Sequence, residues 1–494
     1  MTESAQAQLD TAVFAAGRMV AVSRTLSARA VVLMVSGATL WTTVIASAAV
    51  WRHNEFLSHR FDLGNMVQAV WSTGEGRPLQ ITDGHTGEQI VRFASHVDPV
   101  LALLVPVWWI HPGPESLIIA QTVVLASGIY PVVRLALKYT GSGLATGLLA
   151  TWYLAFPWLV WNALNDVHAV TLAIPLLLYA IWFLDEDQLG RFALFAALAI
   201  LTGELLGLTV AALGVWYAIS HGRRRTGLGI ALSGISWTAI CLVVLIPAFN
   251  DGRPSPFYGH FESVGGSPLG LARTLVSDPG AVLAQVTTAA DVSYVTLLLL
   301  PTALLVLGAP ALLAVSVPQL GINALSDSWS ATQPMFQYVA PIVAPLVAAS
   351  IIAFRRIPER ARVAVAAVLL AVGLLSLLAR PPVPGGQDFV FGSTESNDRA
   401  AAMRRAIELV PASAPVTATN RLGAHLSARR MIYVFPERSL AAWAVVDVRD
   451  AWLPLAGERV DEPLFRRLLA RFERDPAWRL VFERSDVRVY RRVA

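Results

Sequence analysis

The chain has 494 residues, 55% hydrophobic and only 15% charged, against roughly a quarter charged in soluble domains, so water is not its main solvent and a purely soluble fold is excluded. Its net charge of +4 comes without a basic stripe, and the arginine clusters flank apolar runs, so nucleic acid is excluded as a partner and the arginines read as topology signals. Cys241 is the only cysteine, which excludes intrachain disulfides and cysteine-based metal sites.

Crossing a hydrocarbon core of about 30 Å takes roughly 20 apolar residues in a helix. The first such run is Ala30–Trp51, preceded by Arg18, Arg24 and Arg29 and by no cleavage pattern, which predicts an uncleaved anchor with residues 1–29 as a cytoplasmic tail and the loop 52–95 external. Further spans are predicted at Ser116–Leu137, Ser142–Trp161, His168–Leu184, Thr226–Ala248, Val292–Gly308, Ala309–Leu325, Met335–Phe354 and Ala361–Ala379. The run Phe192–Ser220 is too long for one straight crossing and predicts two short helices bent near Gly203. With Val97–Ile110 dipping in without crossing, every arginine cluster between spans is cytoplasmic. The result is a mainly α transmembrane bundle of about eleven spans over residues 30–380.

From Pro381 the medium changes: 32 of the 72 formal charges fall in the last 114 residues, so this part folds in water. Apolar strands at Pro415–Ala418, Met431–Val434, Trp443–Val448, Arg479–Glu483 and Val487–Tyr490, with helical patterns at Ala400–Val410 and Leu464–Glu473, predict a small extracytoplasmic α/β domain over 381–494.

The external segments collect the polar residues that could carry chemistry. Asp62, just beyond the first span and beside Arg60, is placed to meet a substrate at the membrane surface as a general base; the bland reading is that it caps a helix over Leu63–Trp71. His96 and Asp98, before an apolar run, could bind phosphate or a metal, or Asp98 could simply cap a helix that begins at Pro99. Asp166 and His168, between two spans, could pair with groups from the first loop, or be ordinary interfacial polar residues. Glu204, in the long apolar run, is costly unless paired or hydrated and so marks function by default, although a bend at Gly203 would place it at the interface at little cost. Arg253 and His260 (with Arg273) could hold a phosphate through charge-assisted hydrogen bonds, or serve no specific role. No Walker, dinucleotide or HExxH motif occurs.

The runs Phe61-Asp62-Leu63-Gly64, Gln68-Ala69-Val70-Trp71, Gly76-Arg77-Pro78, Ser95-His96-Val97-Asp98-Pro99, Asn165-Asp166-Val167-His168 and Glu204-Leu205-Leu206-Gly207 resemble a bacterial and archaeal family of predicted membrane proteins of unknown function. So do Thr417-Ala418-Thr419-Asn420-Arg421-Leu422, His425-Leu426-Ser427 and Ile432-Tyr433-Val434-Phe435-Pro436 in the tail. By resemblance that family belongs to the GT-C superfamily of membrane glycosyltransferases. The resemblance implies a multi-pass protein of the bacterial plasma membrane with a cytoplasmic N terminus. It implies transfer of a sugar from a polyprenyl-phosphate donor to a glycan, lipid or protein acceptor on the external face, with Asp62 as the base, Glu204 as a second catalytic carboxylate, and Arg60, His96, Arg253 and His260 as cations for the phosphate. A divalent cation is the one candidate cofactor; Glu204 stands alone in Thr202-Gly203-Glu204-Leu205, where the superfamily pattern has a Lys-Glu-Asp-like run, and Asp62 stands alone where that pattern has two adjacent acids. The competing class is a protein that binds or transports a lipid-linked glycan without making a bond.

Overall fold

The computed structural model describes residues 26–379, 396–454 and 459–493. The tail assigned to 1–29 and the domain boundary at 381 fall largely outside the described residues. Among the described residues six helices are long and apolar enough to cross a membrane: Ala28–Asn54, Pro114–Thr140, Gly143–Leu164, Arg224–Phe249, Gln337–Arg356 and Glu359–Ala379. The pair Pro279–Gln285 and Ala289–Thr302, bent by 52°, makes a seventh if it counts as one span. Eleven full-length spans are therefore not found among the described residues. Shorter apolar helices stand in their place: Pro99–Ile110, Ala169–Asp185, Leu189–Ile200, Leu206–Ser220 and Pro310–Leu325. Hydropathy counts apolar residues but is blind to breaks. The run that begins at Val292 stops short because Ala303 and Leu304 adopt left-handed φ values of 47° and 58°, which an α-helix cannot absorb.

Burial sorts the spans. The helix Gln337–Arg356 is buried over 89% of its apolar window and forms the centre of the bundle, whereas the first helix, Ala28–Asn54, is buried over 6% of its window. Both are apolar all round, as expected for one element packed on every side and another that faces lipid. The predicted bend near Gly203 is present: Leu189–Ile200 and Leu206–Ser220 are separate helices joined by residues 201–205.

The C-terminal region forms a small sheet domain. Its strands are β3 (Val416–Ala418), β4 (Ile432–Val434), β5 (Trp443–Asp447), β8 (Trp478–Arg484) and β9 (Val487–Arg492), in the order β4-β3-β5-β9-β8. β3 runs parallel to β4 and β5, while β5, β9 and β8 pair antiparallel. All five predicted strands are present, with helices Asn397–Glu408 and Glu462–Glu473 packed beside them. The hairpin β1 (Gln80–Thr82) and β2 (Gln89–Val91) lies in the loop after the first helix, and β6 (Trp452–Leu453) pairs with β7 (Arg459–Val460).

This domain docks on the loop that follows the first helix. The turn Arg60–Gly64 and the short helix Asn420–His425 approach so closely that a Cβ on Gly423 would lie 2.7 Å from Arg60 Cβ. The His53 and His425 rings stack with centroids 4.0 Å apart.

Candidate active site

The turn that carries Asp62, Arg60–Gly64, is a π-helix, a form that is rare and concentrated at functional sites. The helix that follows, Asn65–Gly74, has Gly64 at its N-cap and no side-chain cap, so Asp62 is free of the capping role. Its carboxylate turns to the segment 165–168 instead. His168 Nε2 lies 3.1 Å from Asp62 Oδ1 and His59 Nδ1 lies 3.9 Å from Oδ2. Asp166 accepts the His59 backbone N–H at 3.0 Å and faces His59 Nδ1 at 3.3 Å. The neighbouring span fixes this segment from behind. The Gln121 amide donates to the Asp166 carbonyl at 2.9 Å, and its oxygen accepts the His168 backbone N–H at 3.1 Å. Asp166 itself has φ 43°, the kind of backbone strain that accumulates at functional sites.

The Asp62 side chain keeps 38% of its surface exposed, against 5% for Asp166 and 8% for His168. Asp62 is the accessible carboxylate of the group, with one oxygen held by His168 and the other open. Burial pushes its carboxyl up, but the hydrogen bond from His168 and the charges of His168 and His59 outweigh burial and hold it below the ordinary range. Burial pulls His59 down, yet the hydrogen bond to Asp166 and the charges of Asp166, Asp62 and Asp450 prevail and hold it above its ordinary value. The two shifts run in the directions of an ion pair: the Asp62 carboxylate is favoured in its charged form and so is the His59 ring. Ligand atoms of His59, Asp62 and Asp166 all lie within 4.8 Å of one another, a nitrogen and oxygen donor set that suits a divalent cation.

A second cluster forms around Glu204, in the bend between its two helices. One carboxylate oxygen accepts the Val97 N–H at 3.1 Å, and the other lies 3.2 Å from His96 Nδ1. The His96 ring stacks on Phe257 at 4.3 Å, and Phe257 meets His260 edge-on at 5.6 Å. Three sequence candidates, Asp62, Asp166 and His168, thus fall into one group together with His59, and His96, Glu204 and His260 into another.

The remaining candidates are placed elsewhere. Arg60, expected to meet phosphate, is fully buried. Its guanidinium donates to Asn65, to Gln68 Oε1 at 2.9 Å, and to the carbonyls of Thr82 at 3.0 Å and Ile432 at 3.3 Å. It is spent on joining the loop to the C-terminal domain. Asp98 precedes the helical turn at Pro99 but makes no cap bond; Arg92 holds it through both oxygens at 2.7 and 2.8 Å. Arg253 lies on an exposed turn and pairs with Asp251 at 3.2 Å.

Sequence reasoning gave no role to His59 or Arg92. His59 stands three residues before Asp62, a spacing that puts two side chains on one helical face, and that was its available signal. Arg92 gave none, because its six-residue separation from Asp98 has meaning only once the loop has folded.

A bundle of this kind, with an accessible carboxylate beside the membrane helices and a small terminal sheet domain, defines a multi-pass membrane protein. A crystal structure of ArnT from Cupriavidus metallidurans shares the fold. The form bound to undecaprenyl phosphate is 13% identical, with a TM-score of 0.51 over 95% of this chain and 99% of that one. The apo form is 14% identical, with a TM-score of 0.49 over 93% and 99%. No curated protein matches the chain in sequence. The chain belongs to the family described as Predicted membrane protein (DUF2079), whose model matches residues 52–451.

Proposed function

We propose that the protein transfers a sugar from a polyprenyl-phosphate donor to a glycan, lipid or protein acceptor on the external face of the membrane. The observation that carries this reading is the Asp62 carboxylate, ionised, half exposed and oriented by His168, within a fold shared with a structure that was crystallised with undecaprenyl phosphate.

The acceptor oxygen attacks the anomeric carbon as the bond from that carbon to the phosphate oxygen breaks, and the phosphate leaves with the electron pair. The hydroxyl proton passes to Asp62 Oδ2, since Oδ1 is engaged by His168. The new charge on the phosphate falls to His96 with His260, because Arg60 is sealed and Arg253 is paired on an exposed turn. Glu204 orients His96 and does not touch substrate. His59, Asp62 and Asp166 would hold a divalent cation, which would supply further positive charge beside the reacting groups.

The test is turnover of lipid-linked sugar by membranes carrying wild type, Asp62→Asn or Glu204→Gln at matched expression. Asp62→Asn is expected to lose about 10²–10⁴-fold, the usual contribution of a general base. Wild-type membranes that consume no donor, with a cell-envelope defect in Asp62→Asn, would replace catalysis by lipid-glycan binding or transport.

A further inference from the structure

The helix Asn65–Gly74 leads away from Asp62 and at its far end walls a recess of about 340 Å³, within the roughly 300–1,000 Å³ of small-molecule sites. Three indoles converge there: Trp71 from this helix, and Trp108 and Trp109 from Pro99–Ile110. Glu75 closes one side, and Ala428 of the C-terminal domain another. Trp108 is 6% exposed and Trp109 65%, so one ring forms the floor and the other the rim. Gly74 lets Trp109 come close, since a Cβ at that position would lie 3.0 Å from the indole nitrogen.

Hydrogen bonding separates these tryptophans from those that serve packing. The indoles of Trp41, Trp152 and Trp158 donate to the carbonyls of Leu154, Pro301 and Leu297. Among the described residues the N–H groups of Trp71, Trp108 and Trp109 have no such acceptor, and those of Trp71 and Trp108 are not sealed from solvent. The Glu75 carboxylate likewise has no hydrogen-bond or ion-pair partner there. Arg77 lies 4.9 Å from the Trp71 ring centroid, which steadies that ring. Flat apolar faces, free N–H donors and a free carboxylate acceptor, gathered in one concave site, match a pyranose: its C–H face stacks on indole while its hydroxyls accept from N–H and donate to carboxylate. Interfacial tryptophans that merely anchor a protein in the headgroup layer need no shared recess with a carboxylate.

We propose that the Trp71–Trp108–Trp109–Glu75 recess binds a sugar unit of a saccharide, and, resting on the transferase reading above, that the saccharide is the acceptor. Trp71 is nine residues beyond Asp62, roughly 13 Å along the helix. An acceptor spanning both points is a short oligosaccharide, not a monosaccharide.

Isothermal titration calorimetry of the full chain in phosphatidylethanolamine–phosphatidylglycerol nanodiscs tests this, with maltohexaose, chitohexaose, mannohexaose and their monosaccharides as probes. At least one hexasaccharide is expected to bind wild type at least tenfold more tightly than its monosaccharide. Trp109→Ala, at an exposed position, and Glu75→Gln, which keeps the shape, are each expected to weaken binding at least tenfold. Flat titrations with all three hexasaccharides would overturn the proposal, as would affinities unchanged in both variants. Saccharide binding without sugar turnover would sink the transferase reading and leave the recess standing; turnover that ignores both recess variants would do the reverse.

Discussion

Replacing Gly423 by alanine puts a methyl group where the C-terminal domain meets the turn that carries Asp62. The added carbon would lie 2.7 Å from Arg60 Cβ and 3.1 Å from Cγ, against an ordinary carbon contact of about 3.5–4.0 Å. Arg60 cannot swing aside, because Asn65, Gln68 and the carbonyls of Thr82 and Ile432 hold its guanidinium. The two backbones must part by several tenths of an ångström, an overpacking cost of about 1–3 kcal/mol. That lowers the docked fraction relative to the undocked by roughly 5- to 150-fold. Hydrogen–deuterium exchange of the Phe61 amide, which donates to Asn420 Oδ1 at 3.1 Å, and of the 420–425 helix should accelerate accordingly. Gly147→Ala, where nothing lies within 4 Å of the new carbon, is the control. Exchange at both segments within twofold of wild type in Gly423→Ala would refute the reasoning that this contact holds the domain over the site.

Three other outcomes are expected. His59 is held above its ordinary value of 6.5, so its pairing contributes stability that is fully present below that pH and is lost as pH rises through the raised value. The melting difference between wild type and His59→Gln should be largest in mild acid and shrink on the alkaline side; a difference that grows with pH contradicts the assignment. Glu204→Gln keeps an oxygen for the Val97 N–H but loses the charge facing His96. Turnover should fall by less than the ~10²-fold that marks loss of a base, and a drop as deep as that of Asp62→Asn would make Glu204 catalytic. Divalent cation binding must displace the His59 proton, so Mn²⁺ affinity measured by calorimetry should rise with pH and lose that slope in His59→Gln; a flat pH profile in wild type argues against this ligand set.

The sequence by itself determined where apolar helices form, where the long run bends and which tail segments become strands. Each of these depends on local composition: an apolar run is driven into lipid or core, Gly203 interrupts one, and alternation in 415–490 suits a sheet with a buried face. It also placed Asp62, Asp166 and His168 among the candidates, because carboxylates and imidazoles beside apolar spans are conspicuous. Which of these groups face one another only the tertiary structure decided. Asp62 and His168 are 106 residues apart and meet because Gln121, on a third helix, fixes the 165–168 segment. Arg60 looks like a phosphate ligand beside Asp62, yet the folded C-terminal domain supplies the Ile432 carbonyl that helps to bury it. Span count also turned on tertiary detail: left-handed residues and short helices divide apolar runs that hydropathy reads as continuous. Burial of apolar surface is close to additive along a chain, but hydrogen bonds and ion pairs are satisfied only by specific partners. The first is legible from composition, and the second exists only once distant segments have been brought together.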